Sequence, residues 1–194
     1  MKKLQVLLVD DRPDRSSSLR DALSRVPGVE VACTLESCLE LLDGVAEHQP
    51  DVVLIDTDSP SRDVLEQLAA VSSAAPRPVV IFTEDSGDEA IRAALRAGVS
   101  AYIVDGIAPG RLNPIMRVAI ERFDADQRLR AELDDTRRTL AERKLVERAK
   151  GILMKQRAMS EEEAFSALRK LAMERSLRLG EAARQVIAVT AMLG

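Results

Sequence analysis

LQVLLVDD at residues 4–11 and DVVLID at residues 51–56 are the stretches that decide the fold of the first half of the chain. Each is a short apolar run that ends in aspartate, a pattern typical of a strand buried in a parallel sheet. Three further strands are predicted at Val29–Ala32, Pro78–Thr83 and Ala101–Val104. Because strands alternate with helical segments, the sequence predicts an α/β fold on a doubly wound, five-stranded parallel sheet.

Helical periodicity marks Asp14–Val26 and Leu35–Glu47 and is longest in the second half of the chain, where a continuous helix is predicted over Leu112–Arg157. After Pro114, apolar residues recur there at steps of three or four residues or their sums: Ile115, Ala119, Leu129, Leu133 and Leu140. Polar residues interrupt the same frame at Arg122, Asp126 and Thr136. This pattern favours a dimeric coiled coil with polar insertions, and a solvated connector helix is the alternative.

The segment Arg143–Val186 combines a basic stripe with a small helical core. The stripe consists of positions spaced i, i+4, i+7 and i+11, namely Lys144, Arg148, Gly151 and Lys155, and it runs beside an apolar row. Ser160 and Glu163 form a capping box, so a second helix is predicted to begin there, with Phe165 on its buried face. A third short helix follows Gly180, and three short helices then share one core.

Three motifs in this segment resemble the ANTAR family: RAKGILM at 148–154, SEEEAF at 160–165 and LRKLAM at 168–173. The resemblance implies a three-helix module that binds RNA hairpins in transcript leaders and prevents premature transcription termination. The candidate RNA-binding residues are Lys144, Arg148, Gly151 and Lys155, with Arg169 and Lys170 as weaker candidates. Gly151 either lets RNA approach the backbone or serves helix packing, and both interpretations stay open.

Acidic residues gather where the predicted strands end: Asp10, Asp11, Asp56 and Asp105, together with Thr83. Asp10, Asp11 and Asp56 offer hard oxygen ligands that could hold Mg²⁺. This constellation resembles the flavodoxin-like receiver domain of response regulators. The resemblance implies that Asp10 and Asp11 bind the metal, that Asp56 accepts a phosphoryl group, and that Thr83 and Tyr102 form the switch pair.

The sequence departs from the receiver pattern at Asp105, which stands where the family has a lysine that neutralises the phosphorylated aspartate. A phosphoryl group would meet a carboxylate there, and like charges at ~4 Å repel by about 1 kcal/mol in water and by more at lower dielectric. We therefore favour a pseudo-receiver retained as a docking platform over a phosphorylated receiver. No cofactor is required, and Mg²⁺ in the acidic pocket is the one candidate.

Charge is distributed unevenly along the chain, whose overall net charge is −4. Residues 1–112 contain 11 Lys/Arg and 19 Asp/Glu, a net charge of −8, whereas residues 143–178 contain 10 and 5, a net charge of +5. Two functions are indicated. We predict a receiver-like domain at 1–112, a coiled-coil linker helix at 113–142 and an ANTAR domain at 143–194.

Several classes of protein do not fit the sequence. No apolar run is long enough for a membrane span or a signal peptide, so a cytoplasmic protein without membrane contact is expected. Cys33 and Cys38 are expected to be buried, reduced thiols, because the only histidine is His48 and no metal-ligand spacing is present. An enzyme is not expected, since no catalytic set surrounds His48.

The loop Ile55–Asp63, the strand end Ala101–Gly106 and the ANTAR tail together resemble nitrate-regulated antiterminators of the NasT type. That resemblance implies a protein held inactive by a nitrate/nitrite-sensing, NasS-like partner. Once released, it would bind a two-hairpin leader RNA upstream of nitrate-assimilation genes, and we expect a homodimer in the RNA-bound state.

Two other functions remain as alternatives. The first is a phosphorylation-controlled two-component response regulator with a helical DNA-binding output. It is disfavoured because Glu181–Leu193, the candidate recognition helix, offers only Arg184, Gln185 and Thr190 for reading bases. The second is a coiled-coil adaptor that binds no nucleic acid, which the basic C-terminal segment argues against.

Overall fold

The computed structural model describes residues 3–10, 16–104 and 109–193. The chain forms two compact units, Met1–Gln127 and Arg128–Gly194, called here the N-terminal and C-terminal units. The predicted three-part division at 1–112, 113–142 and 143–194 stays a prediction. Within the described residues, no helix combines the length and the apolar character needed to cross a bilayer.

The N-terminal unit is built on the predicted five-stranded parallel sheet, which confirms the α/β fold. Its strands are β1 (Leu4–Asp10), β2 (Val29–Leu35), β3 (Val52–Asp56), β4 (Val79–Thr83) and β5 (Ala101–Val104), in the order β2-β1-β3-β4-β5. All residues of β3 and β4 are buried, because both faces of these central strands are covered. Asp10 and Asp56 end adjacent strands and are paired in register.

The helices α1 (Ser16–Ser24), α2 (Leu41–His48), α3 (Arg62–Ala74) and α4 (Asp88–Arg96) cover the sheet together with the start of a longer helix at residues 112–119. Two hydrophobic cores result, one containing Leu7 and Ile55 and the other Leu8 and Leu54, since alternate residues of a strand point to opposite faces. The predicted helix at Leu35–Glu47 begins too early. Leu35 still pairs with β1, and a 3-10 turn capped by the Ser37 hydroxyl precedes α2.

The cysteines are both free thiols, as expected, but only one of them is fully buried. Cys38 is 7% exposed and belongs to a hydrophobic core. Cys33 is only partly buried, because it lies on β2 at the edge of the sheet, where neighbours cover it from one side.

Helix α5 spans Leu112–Arg157, as the sequence predicts. Its apolar residues have two different environments. Ile115 and the fully buried Ala119 pack into the core of the N-terminal unit and are not free to form a coiled coil. In contrast, Leu129, Leu133 and Leu140 are 64%, 47% and 53% exposed.

The C-terminal unit packs the end of α5 against α6 (Glu161–Glu174) and α7 (Leu179–Leu193). Its core contains Ala149, Leu168 and Ala183, one from each helix. The predicted capping box is present: the Ser160 hydroxyl accepts from the Glu163 amide, and the Glu163 carboxylate accepts from the Ser160 amide. Helix α7 begins at Leu179, before Gly180 and not after it.

Candidate functional site

The acidic pocket lies at the carboxyl edge of the sheet in the N-terminal unit. Asp10, Asp56 and Thr83 are the last residues of β1, β3 and β4, and they are 5%, 2% and 3% exposed. Two buried carboxylates on paired strands form a donor set that suits a hard divalent cation, whose charge would offset their repulsion. The fit to Mg²⁺ thus rests on Asp10 and Asp56, because Asp11 and Asp105 lie outside the described residues.

Within the described ranges, no group of three or more His, Cys, Asp or Glu side chains is arranged to hold a metal ion. Asp10 and Asp56 alone supply two carboxylates, fewer ligands than Mg²⁺ takes from protein and water together. The remaining ligands would come from water or from Asp11. Mg²⁺ binding in this pocket therefore stays a prediction.

The switch-like residues Thr83 and Tyr102 hold two loops beside the pocket. The Thr83 hydroxyl donates to the Asp58 carbonyl oxygen at 2.7 Å, and the Tyr102 hydroxyl donates to the Asp85 carbonyl oxygen at 2.9 Å. Burial raises the pKa of Tyr102, and a hydrogen bond with Thr83 acts in the opposite direction. Both side chains thus act inside the unit, and Tyr102 connects β5 to the loop after β4.

A further hydrogen bond joins the loop after β3 to the loop after β4, and it was not predicted from the sequence. The Ser59 hydroxyl donates to the Asp85 carboxylate at 2.6 Å, and the Gly87 amide donates to the other carboxylate oxygen at 2.8 Å. These two donors lower the pKa of Asp85, the Ser59 hydroxyl most strongly. The loop after β3 is therefore joined to the loop after β4 by side-chain hydrogen bonds. The only signal in the sequence was the Asp-Ser-Gly turn at 85–87.

The basic stripe of α5 faces solvent in the C-terminal unit. Lys144, Arg148, Gly151 and Lys155 are all exposed. Within the part of the chain that the structure describes, the side chains of Lys144, Arg148 and Lys155 make no hydrogen bond or ion pair. A Cβ added to Gly151 would meet no atom within 4 Å, so Gly151 does not pack closely against another described helix of this chain.

The weaker candidates on α6 differ from each other. Arg169 is exposed and, among the described residues, has no hydrogen-bond or ion-pair partner. Lys170 lies 3.9 Å from the Glu174 carboxylate, one turn further along the helix. Arg175, near the helix end, donates to the Gln185 side chain at 2.9 Å. Arg169 is thus the α6 cation most accessible to an external anion.

Lys150 connects two helices, a role that was not predicted from the sequence. Its side chain is 10% exposed, and its ammonium lies 2.6 Å from Glu161 at the start of α6 and 2.9 Å from Glu147 on α5. The hydrogen bonds that the ammonium donates to Glu161 first and to Glu147 second raise the pKa of Lys150, and the same bond to Glu161 lowers the pKa of that carboxylate. The ion pair with Glu147 could have been predicted from the sequence, because the two residues are three positions apart on one helix. The contact with Glu161 could not, because Glu161 lies on another helix.

The prediction that Phe165 is a core residue is wrong. Phe165 is 42% exposed, because the row that faces the core consists of Ala164, Leu168 and Ala172. Phe165 lies about 100° further around the helix than Ala164, on the flank of that row. Met173, eight residues later and directly after the buried Ala172, is 73% exposed.

Comparison with known proteins identifies two domains. Residues 6–117 match the response regulator receiver domain, and residues 134–187 match the ANTAR domain. The transcriptional regulatory protein PdtaR of Mycobacterium tuberculosis is 30% identical over 183 residues, which cover 94% of this chain and 89% of PdtaR. The nitrate regulatory protein of Klebsiella oxytoca is 44% identical over 66 residues, which cover 34% of this chain and 17% of that protein.

A solved structure agrees with the fold of the N-terminal unit. The signal receiver domain of the response regulator NarL from Mycobacterium tuberculosis aligns with a TM-score of 0.56 and 24% identity, over 61% of this chain and 98% of that domain. Receiver and ANTAR domains indicate a regulator without enzymatic activity of its own. The chain belongs to the family of transcriptional regulators that join a response-regulator receiver domain to an ANTAR domain.

Proposed function

We propose that this chain is an RNA-binding transcription antiterminator whose α5 stripe binds hairpins in leader RNA. The observation that carries the proposal is a set of three exposed cations on one helix, Lys144, Arg148 and Lys155, which are unpaired among the described residues. Cations spaced along a rigid helix suit the regularly spaced phosphates of an RNA strand, and their binding releases counterions. Gly151 leaves open space between them, so a phosphate or sugar can approach the backbone.

Regulation by a partner protein is the second part of the proposal. By resemblance to NasT-type antiterminators, a nitrate/nitrite-sensing, NasS-like protein would sequester this chain in the cytoplasm and release it when ligand binds. The name of the Klebsiella oxytoca relative, a nitrate regulatory protein, supports the link to nitrate. Asp105 at the lysine position supports control that does not depend on phosphorylation of Asp56, with Mg²⁺ in the pocket as an optional structural ion.

A homodimer is the third part of the proposal. Leu129, Leu133 and Leu140 lie at i, i+4 and i+11 on α5, and all three are exposed in the single chain. This spacing matches the a and d positions of a heptad, with Thr136 as a polar interruption. Pairing of this segment between two chains would cover the leucines and bring two basic stripes to one RNA with two hairpins.

A gel-shift titration tests the proposal. Purified full-length protein is titrated against a two-hairpin leader RNA and against a duplex DNA of similar length, each at two salt concentrations. We expect salt-sensitive binding to the RNA alone. Preference for duplex DNA would support the phosphorylation-controlled DNA-binding regulator instead, and binding to neither nucleic acid, with or without added Mg²⁺, would support the adaptor.

A further inference from the structure

Phe165, Arg169 and Met173 form a row on the surface of α6, called here the α6 row. The three residues are spaced by four positions, which places them one above another along the helix. Phe165 and Met173 are 42% and 73% exposed, although apolar side chains of this size are usually buried. The neighbouring row of the helix packs into the core of the C-terminal unit, so the backbone that carries the α6 row is held in place.

The chemistry of the α6 row is that of a stacking surface with a charge at its centre. Arg169 makes no hydrogen bond or ion pair with any described residue, so its guanidinium is available to an external group. Aromatic rings and guanidinium planes both stack on unpaired nucleobases, and a guanidinium also binds phosphate. Glu161, four positions before Phe165, is paired with Lys150 and therefore marks the end of the row.

A second copy of the chain is a poorer occupant of the α6 row. In a symmetric pair, the same surface meets itself, so two Arg169 guanidinium groups would approach each other. The exposed leucines of α5, whose row from Leu129 through Leu133 to Leu140 is interrupted only by the uncharged Thr136, suit self-association better. An anionic ligand with flat apolar groups, as a single-stranded RNA loop is, matches both the charge and the exposed ring.

We infer that the α6 row binds unpaired bases of a hairpin loop, with Phe165 as the stacking platform. The inference rests on the proposed function and divides it between two helices. The α5 stripe binds phosphates, which any RNA or DNA offers, whereas the α6 row binds bases that only a single-stranded loop exposes. The α6 row is therefore the part of the molecule that distinguishes hairpin loops from duplex.

The test uses the full chain and the hairpin RNA recovered by crosslinking it to cellular RNA. That hairpin is synthesised with fluorescent 2-aminopurine at each loop position in turn. Phe165→Leu keeps apolar bulk but removes the ring, and Phe165→Tyr keeps the ring. We expect Phe165→Leu to bind roughly ten- to hundredfold more weakly, with an unchanged salt slope because the phosphate-binding cations are all retained, and Phe165→Tyr to bind within about twofold of wild type.

The fluorescence signal separates stacking from an indirect effect on folding. At least one loop position should be quenched by the wild type and by Phe165→Tyr but not by Phe165→Leu. Val189→Ala is the matched control, because Val189 is an apolar residue of α7 that is 56% exposed, and its replacement should leave affinity and quenching unchanged.

Three outcomes would overturn the inference, and they are distinguishable from one another. If Phe165→Leu binds and quenches as the wild type does, the inference fails while the proposed function stands. If Phe165→Leu instead changes self-association measured by sedimentation, the α6 row contacts a second copy and not RNA. If the wild type binds no hairpin RNA, both the proposed function and this inference are wrong.

Discussion

The two units use their polar side chains in opposite ways. In the N-terminal unit, the polar groups beside the acidic pocket bind one another: Thr83 to the Asp58 carbonyl, Ser59 to Asp85, and Tyr102 to the Asp85 carbonyl. In the C-terminal unit, Lys144, Arg148 and Lys155 bind nothing within the described residues. Internal hydrogen bonds fix a conformation, whereas unpaired cations on a helix are available to a ligand. We therefore expect the first unit to offer a stable surface and the second to bind the ligand.

The contrast also holds between two lysines of the same helix. Lys144 is exposed and has no ion-pair partner in the described part of the chain, whereas Lys150 has 10% of its side chain exposed and is held by Glu161 and Glu147. They differ by six positions, so they point to different sides of α5. We therefore expect Lys144 to matter for RNA binding and Lys150 for the arrangement of α5 and α6.

The largest effect is expected from removing the α5 stripe. Replacing Lys144, Arg148 and Lys155 together by Ala should weaken RNA binding at least a hundredfold near physiological salt, because each of these cations neutralises a phosphate. The slope of log affinity against log salt should fall by about one unit for each phosphate that is no longer neutralised. The measurement is a titration at several salt concentrations.

A control for the triple variant has the same change in net charge. Arg62, Arg137 and Arg138 are exposed arginines that form ion pairs with Glu66, Asp134 and Asp135. Replacing these three by Ala should leave the affinity nearly unchanged. Equal affinity of the stripe variant and this control would move the RNA site to another surface.

Lys150→Met should give the next largest effect, and on stability first. The substitution leaves Glu161 without its ammonium partner and removes the tie between α5 and α6. We expect the melting temperature to fall by several degrees, whereas Lys144→Met should leave it unchanged. Thermal unfolding followed by circular dichroism compares the two.

RNA affinity should fall in both variants, but only Lys144→Met should lower the salt slope. An unaltered melting temperature in Lys150→Met would show that the contact between Lys150 and Glu161 does not stabilise the folded protein.

The start of α6 should make the C-terminal unit sensitive to acid. Hydrogen bonding by Lys150 lowers the pKa of Glu161, and the Ser160 amide and then its hydroxyl lower the pKa of Glu163. A carboxylate whose folded pKa lies below its unfolded value stabilises the fold above the unfolded pKa, near 4.5. That stability is lost as pH falls through the folded pKa.

The measurement for this prediction is the melting temperature as the pH is lowered from neutral to below 4.5, the value from which the pKa of each carboxylate is lowered. Glu163→Gln should flatten the dependence in part, and Lys150→Met should remove the share that belongs to Glu161. If both variants show the wild-type pH dependence, other carboxylates govern acid unfolding.

The sequence predicts the fold better than it predicts the site. The runs at Leu4–Val9 and Asp51–Asp56 identify buried strands, because burial on both faces of a parallel sheet requires continuous apolar residues. The capping box at Ser160 and Glu163 is local, and it appears as predicted. Contacts between distant segments have no such signature. Lys150 with Glu161 and Ser59 with Asp85 become visible only when the chain is folded.

Phe165 shows a different limit of the sequence. Helical spacing places Phe165 next to Ala164 and three residues before Leu168, so either flank of the apolar row could have faced the core. The structure buries the row with the smaller residues, Ala164 and Ala172, on either side of Leu168, which packs with Ala149 of α5 and Ala183 of α7. Helical periodicity predicts which residues face the core only to within about one position. Phe165 lies one position from the buried Ala164, which is why its burial was wrongly predicted.

Gly151→Ala should change stability and RNA binding in opposite directions. A methyl group at Gly151 meets nothing within 4 Å, so the variant gains helix propensity of about 1 kcal/mol without strain. If RNA approaches the backbone there, the same methyl group should weaken binding several-fold. Thermal unfolding and an RNA titration measure the two effects. A stabilised variant with wild-type affinity would show that Gly151 is not part of the RNA site.

The smallest effect is expected from Asp56→Asn, which tests the acidic pocket of the N-terminal unit. In the sequence, Asp105 stands where the receiver family has the lysine that neutralises a phosphorylated aspartate, and the loops after β3 and β4 are joined by hydrogen bonds of Thr83 and Ser59. We therefore expect nitrate-dependent readthrough of a leader-reporter fusion to be the same in the variant and the wild type. The melting temperature should not fall, because the substitution removes one of two neighbouring buried carboxylates. Loss of the nitrate response, or a phosphorylated Asp56 detected by mass spectrometry after treatment with an acyl-phosphate donor and Mg²⁺, would show that the receiver still signals through this aspartate.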